Sequence, residues 1–233
     1  MTRNKAVAFD LFGTLIRSWP PERDRQTMDG MASVLSIPVD DFSTCWKQTA
    51  NERMTGAFDG YESCIASICS ELGVAATEEL IRHAAAVRME QTRREMDPHD
   101  GAEEVLSALK VSGFRTAVIS NISATGIPFW KSSPLSRLVD AAVMSCLLGT
   151  MKPDPRMYTT ACKLLEVEPG ACLYVADGWD NELAGAAAVG LSPVLIRHRG
   201  SPVSAEGRTW RGPNVGSLRE VFVLASSNSS AQI

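Results

Sequence analysis

The residues able to do chemistry stand where apolar runs end or helices begin. Asp10 closes the run Ala6-Val7-Ala8-Phe9. Such a run reads as a strand buried in a parallel sheet. Ligands of open α/β sheets sit outside the strands' carboxyl ends, so Asp10 is expected to point into a site. Gly13 then permits a sharp turn and Thr14 supplies a hydroxyl. Ser120-Asn121 follow the apolar Ala117-Val118-Ile119, where a hydroxyl and neighbouring backbone N–H groups can hold an anionic oxygen. Lys152 precedes Pro153-Asp154-Pro155, a helix start whose positive end lies beside an ammonium turned inward. That ammonium would offset the charge of Asp10 and of a bound anion. Asp177, Asp180 and Glu182 place three carboxylates within six residues after the apolar Ala171–Ala176. Repulsion makes such a cluster costly without a cation, and oxygen ligands with spare water positions suit magnesium. A helix N-terminus enriched in acids accounts for part of the same pattern.

The remaining chain must position these groups. Its 233 residues, 45% apolar and 21% charged, can bury a sizeable core as one domain or one plus an insert. A net charge of −4 gives no basic stripe for nucleic acid. No apolar run approaches the ~20 residues of a membrane span, and the start, Met1 to Lys5, leads into a short strand without the apolar region of a signal peptide. The six cysteines, at 45, 64, 69, 146, 162 and 172, form no CxxC pair and read as small core residues of a reducing, cytoplasmic protein. There is no internal repeat. A small-molecule substrate is expected, with neither nucleic acid nor membrane as partner; the oligomeric state is left open.

After Arg17-Ser18-Trp19-Pro20-Pro21 breaks the pattern, residues 22–36, 40–57, 60–73 and 77–95 carry apolar residues at helical spacing. This predicts an all-helical insert directly after the first strand, able to act as a lid. Arg53, near the end of its second segment, is a candidate anion contact, with a solvated surface arginine the alternative. Pro98 and Gly101 bracket the return turn; His99 between them is assigned no role. Further strands are expected at 114–119, 139–144, 171–176 and 193–196, helices at 103–110, 155–165 and 183–189, loops over 198–212, a short helix over 215–225, and a frayed tail at 226–233.

This ordered set of Asp10, Ser120, Lys152 and Asp177 motifs resembles the haloacid dehalogenase-like (HAD) hydrolase superfamily, across residues 5 to 197. The resemblance implies an α/β, Rossmann-like core with a five-stranded parallel sheet (1–17 and 97–225) and an inserted helical cap (18–96). It also implies a mechanism in which Asp10 attacks an electrophile to form an aspartyl ester that water hydrolyses. In the phosphatase branch, magnesium bridges Asp10, the backbone carbonyl of Phe12 and Asp177; Glu182 is a further candidate metal ligand, ranked below Asp177 as one that can act through water. Thr14, Ser120 and Lys152 grip the transferring phosphoryl oxygens, beside Asn121 as a substrate contact.

Phe12 departs from that pattern. Phosphatases of the superfamily usually carry a second Asp there, which protonates the leaving oxygen; general acid–base help of this kind is typically worth ~10²–10⁴ in rate. An aromatic residue at this position resembles the 2-haloacid dehalogenase branch, whose halide leaving group needs no proton. Lys152 and Tyr158 also match that branch, which makes Tyr158 a candidate substrate contact, with an ordinary packing residue of its helix the alternative. Asp177 departs in the opposite direction, because the dehalogenase pattern has a Ser-Ser-Asn run in this region and no metal. The expectation is therefore an Mg-dependent hydrolase of a small phosphorylated metabolite. The alternatives are metal-free 2-haloacid hydrolysis and a catalytically weak relative that acts by binding.

Overall fold

The computed structural model describes residues 5–18 and 21–227. Its short apolar runs pair into one sheet, all parallel, in the order β3-β2-β1-β4-β5-β6. The strands are β1 (Ala6–Phe9), β2 (Arg115–Ser120), β3 (Ala141–Met144), β4 (Cys172–Ala176), β5 (Ser192–Ile196) and β6 (Asn214–Val215). β1 is central, with Ala6 opposite both Arg115 and Cys172, and Phe9 opposite both Val118 and Val175.

A parallel sheet needs both faces covered, and the period of two along β1 divides its residues between two cores. Val7 and Phe9 join Val118, Val175 and Ile196 beneath helices α6 (Ala102–Val111), α7 (Gly126–Ser132) and α12 (Leu218–Ser227). Ala6 and Ala8 leave room on the other face for Tyr174 and for Tyr158 and Met157. That face is covered by α9 (Pro155–Leu165) and α10 (Glu182–Val189). Short helices α8 (Ser145–Leu148) and α11 (Ala205–Thr209) complete this half.

Between β1 and α6 the described residues form five helices: α1 (Pro21–Leu35), α2 (Val39–Gln48), α3 (Ala50–Met54), α4 (Tyr61–Glu71) and α5 (Glu78–Glu95). They pack around a core of their own, including Met31, Phe42, Trp46, Ile65, Ile68 and Ala84. The two chain crossings into this unit run side by side. The Arg17 amide donates to the Asp97 carbonyl (3.0 Å) and the His99 amide to that of Leu15 (2.8 Å), while the Arg17 guanidinium pairs with Asp97 and Asp100.

Three expectations are corrected. The sheet has six strands, not five. β6 is two residues long and forms by tertiary pairing at the sheet edge, with the Arg197 amide donating to the Val215 carbonyl (2.9 Å), so no apolar run announces it. The helical segment at 40–57 is two helices, which part at Thr49. Ser226 and Ser227 close α12 rather than opening a tail; the rest of that expected tail lies outside the described residues. Among the described residues no helix is long and apolar enough to cross a membrane.

Candidate active site

The sheet's carboxyl edge brings the sequence-distant motifs together. Asp10 continues the β1 ladder, its amide donating to the Val175 carbonyl (2.9 Å), and its side chain is buried. Gly13 follows at φ +83°, in the left-handed region that favours glycine. A Cβ there would collide with the Asp177 carboxylate, so glycine also lets the turn approach the end of β4. At the end of β2, Asn121 ties three motifs. Its Oδ1 accepts from the Lys152 amide (2.8 Å), and its Nδ2 donates to Asp180 Oδ2 (2.8 Å). Asp154 caps α9 by accepting from the Arg156 amide (2.8 Å), which fixes the chain just after Lys152.

Lys152 is the positive centre of the site. Its Nζ donates to Asp10 Oδ1 (2.5 Å) and Glu182 Oε2 (2.5 Å), with all three side chains buried. Burial alone would lower the ammonium's pKa, but the Asp10 and Glu182 carboxylates outweigh it and hold the group charged. Glu182 has little capacity left for anything else. Its Oε2 also accepts from Tyr174 Oη (2.6 Å), and its Oε1 from the Gly178 amide (3.0 Å). Burial nevertheless raises its pKa to about 7, against the pull of Lys152. Asp177 is pushed up to about 9, first by burial and then by Asp10 and Glu182.

Carboxylate oxygens of Asp10, Asp177 and Glu182 all lie within 4.8 Å of one another. The donor set is all oxygen, which suits a hard divalent cation. Asp10 Oδ2 is buried with no hydrogen-bond partner among the described residues, the mark of a lone pair awaiting a ligand. These residues fit Mg²⁺ best through Asp10 and Asp177. Glu182, already gripped by Lys152, Tyr174 and Gly178, supports the cluster from behind.

A cavity of about 490 Å³ between this edge and the helical insert is lined by Asp10, Phe12, Asn121, Lys152, Asp177 and Glu182 among others. Thr14 and Ser120 are fully buried and stand behind this wall. Among the described residues the Thr14 hydroxyl is without a hydrogen-bond partner, and that of Ser120 reaches its neighbour's carbonyl alone (3.4 Å).

Two expected substrate contacts are placed elsewhere. Arg53 is buried inside the helical insert, with its guanidinium 3.9 Å from the Trp46 ring centre, donating to the Trp46 carbonyl (2.6 Å) and to the Thr49 hydroxyl. It is neither a cleft residue nor a solvated one. Tyr158 is fully buried under the site, where its hydroxyl donates to the Glu182 carbonyl (3.0 Å), so it positions Glu182 rather than touching a substrate. The insert's cleft-facing cation is instead Arg88, paired with Glu95 at 3.2 Å. Arg88, Thr92 and Glu95 recur at i, i+4 and i+7 along α5, a helical stripe that the sequence does display.

Comparisons with known proteins bear on the family and the fold. A family model described as haloacid dehalogenase-like hydrolase matches residues 4–190. The (S)-2-haloacid dehalogenase 4A of Burkholderia cepacia is 32% identical over 143 residues, 60% of this chain and 61% of that protein. The plasmid phosphoglycolate phosphatase of Cupriavidus necator is 32% identical over 99 residues, 42% of each chain. Both matches thus span less than two thirds of the relative. Among solved structures, a HAD phosphatase from Thermococcus onnurineus superposes with TM-score 0.65 at 20% identity, covering 94% of this chain and 97% of that one. At that identity the likeness is one of fold.

Proposed function

The chain belongs to the haloacid dehalogenase-like hydrolase family, and from that premise we propose that it hydrolyses a small phosphorylated metabolite with Mg²⁺, using Asp10 as nucleophile. The observation that carries the reading is Asp177, a carboxylate pressed by burial and by Asp10 and Glu182 until its pKa is near 9. Asp10 and Glu182 lie within 4.8 Å of it, and a metal-free reaction gives no reason to keep a third acid there.

Lys152 fixes the Asp10 carboxylate through Oδ1, while Oδ2 has no hydrogen-bond partner among the described residues, and Asp10 lines the cavity. In the first half-reaction a carboxylate oxygen of Asp10 attacks phosphorus and the bond to the leaving oxygen breaks. In the second, water attacks the aspartyl phosphate and restores the carboxylate. The Lys152 ammonium neutralises charge at the nucleophile, and the insert shields the cleft from bulk water. Asp10, Asp177 and the Phe12 carbonyl would hold the ion. When bound, Mg²⁺ supplies neutralisation of the phosphoryl oxygens.

Phe12 favours a second reading, 2-haloacid hydrolysis, because a halide leaves without a proton. The Burkholderia cepacia relative bears a dehalogenase name. One panel separates the two: phosphate esters and 2-haloacids, each with Mg²⁺ or EDTA, with Asp10→Asn as control. Phosphate release that needs Mg²⁺ and vanishes in Asp10→Asn is expected. Chloride release in EDTA would select the second reading.

A further inference from the structure

The wall of the cavity outside the carboxylate cluster is largely apolar: Phe12, Met54, Tyr61, Ile122, Trp179 and Pro202 face it. Trp179 is 49% exposed in the rim and belongs to none of the packed cores. A large aromatic side chain half in water at the mouth of the cavity offers a ring face that a ligand can cover. Several polar groups of the insert that reach this space satisfy one another, although Arg88 Nε has no hydrogen-bond partner among the described residues. Both terminal nitrogens of Arg88 donate to Glu95 (3.2 and 3.5 Å), and the Tyr61 hydroxyl pairs with that of Thr92 (2.8 Å). At position 12, two residues beyond the nucleophile, the cavity meets a phenyl ring that can donate no proton.

Resting on the phosphatase reading above, we infer that the substrate is a phosphate ester of an aromatic hydroxyl, with its ring held by Phe12 and Trp179. Both observations select the same class. Apolar, aromatic walls bind a flat ring, and a leaving oxygen that is stable as an anion needs no acid at position 12. As an Asp10 oxygen bonds to phosphorus, the bond from phosphorus to the aryl oxygen breaks. Its electron pair stays on that oxygen, delocalised into the ring, so the aryloxide departs without a proton from the protein and takes one from solvent. The aspartyl phosphate then reacts with water to give inorganic phosphate and free Asp10.

The test uses the Mg²⁺-loaded protein and a series of substituted phenyl phosphates, with methylphosphonate and phenylphosphonate as unreactive probes. The value of kcat/KM should fall about tenfold for each unit rise in the leaving phenol's pKa, and Phe12→Asp should flatten that slope while raising turnover of alkyl phosphates about a hundredfold. Phenylphosphonate should inhibit about tenfold more tightly than methylphosphonate, and Trp179→Ala should erase the difference. A shallow slope in the native protein, or equal inhibition by the two phosphonates, overturns the inference. A shallow slope that Asp180→Asn steepens overturns it by placing a proton donor at Asp180. In each of these cases Mg²⁺-dependent turnover lost in Asp10→Asn would leave the phosphatase reading standing. Absence of any phosphate ester turnover would sink both.

Discussion

Lys152→Met removes the one cation that two buried carboxylates share while keeping the length of the side chain. In the native protein Nζ sits 2.5 Å from Asp10 Oδ1 and 2.5 Å from Glu182 Oε2, with the lysine side chain 3% exposed and its partners 7% and 1%. Breaking a buried ion pair by deleting one partner costs about 3–5 kcal/mol. The cost here is set by two carboxylates, not one. Proton uptake limits it, because Glu182 and Asp177 already titrate near 7 and 9. A loss of about 3–5 kcal/mol near pH 8 follows, equivalent for a chain of this size to a fall in Tm of roughly 6–20 °C. Urea unfolding in EDTA measures it. The deficit should narrow in mild acid, near pH 5.5, where protons do the work of the missing ammonium, and added Mg²⁺ should recover part of it. A loss under about 1 kcal/mol, the scale of an exposed pair, or a deficit that widens in acid, would refute the electrostatic reasoning.

Three further outcomes follow from the same geometry. The metal-free protein should lose stability as pH rises from about 6.5 to about 9. Asp177 and Glu182 have raised pKa values, so the folded state holds protons there that the unfolded chain has released. Below 6.5 His99, depressed to about 4 by burial and by His198 and Arg17, pulls the other way. Thermal melts across pH in EDTA check the sign. Asp177→Asn should leave the metal-free Tm near neutrality almost unchanged, since the native group is already protonated there, yet abolish the Mg²⁺-induced rise of about 2–3 kcal/mol expected at a hundredfold excess over Kd; calorimetry with and without Mg²⁺ reads both. Arg53→Ala should cost about 2–4 kcal/mol, from lost hydrogen bonds and ring stacking inside the insert, with no change in KM. A raised KM at unaltered stability would return Arg53 to the cleft.

Asp10, Lys152 and Asp177 were legible because each punctuates a local pattern. Asp10 and Asp177 end apolar strands, and Lys152 stands before a proline-marked helix start. In a parallel sheet those places converge on one edge whatever the loops between them do. Arg53 was misplaced because both it and Arg88 sit on amphipathic helices, and only the packing of one helix on another decides which face looks into the cleft. The same limit applies to Glu182. Its acidic neighbourhood suggested a metal ligand, but its lone pairs are filled by Lys152, distant in sequence, and by Tyr174 and the Gly178 amide at the end of β4, a meeting that only the folded sheet edge produces. Tyr158 read as a substrate contact for want of the knowledge that Ala6 and Ala8 open space for it beneath β1. β6 escaped notice because two residues at a sheet edge owe their extended form to the neighbouring strand and not to their own sequence.

The central claim is a covalent bond between Asp10 and phosphorus, and it can be caught directly. An aryl phosphate is mixed with excess protein and Mg²⁺, quenched in acid within one turnover, reduced with borohydride and digested for peptide mass spectrometry. The account predicts that Asp10 is converted to homoserine in the Mg²⁺ sample and not in EDTA. Phosphate release with Asp10 unmodified at every quench time would contradict it.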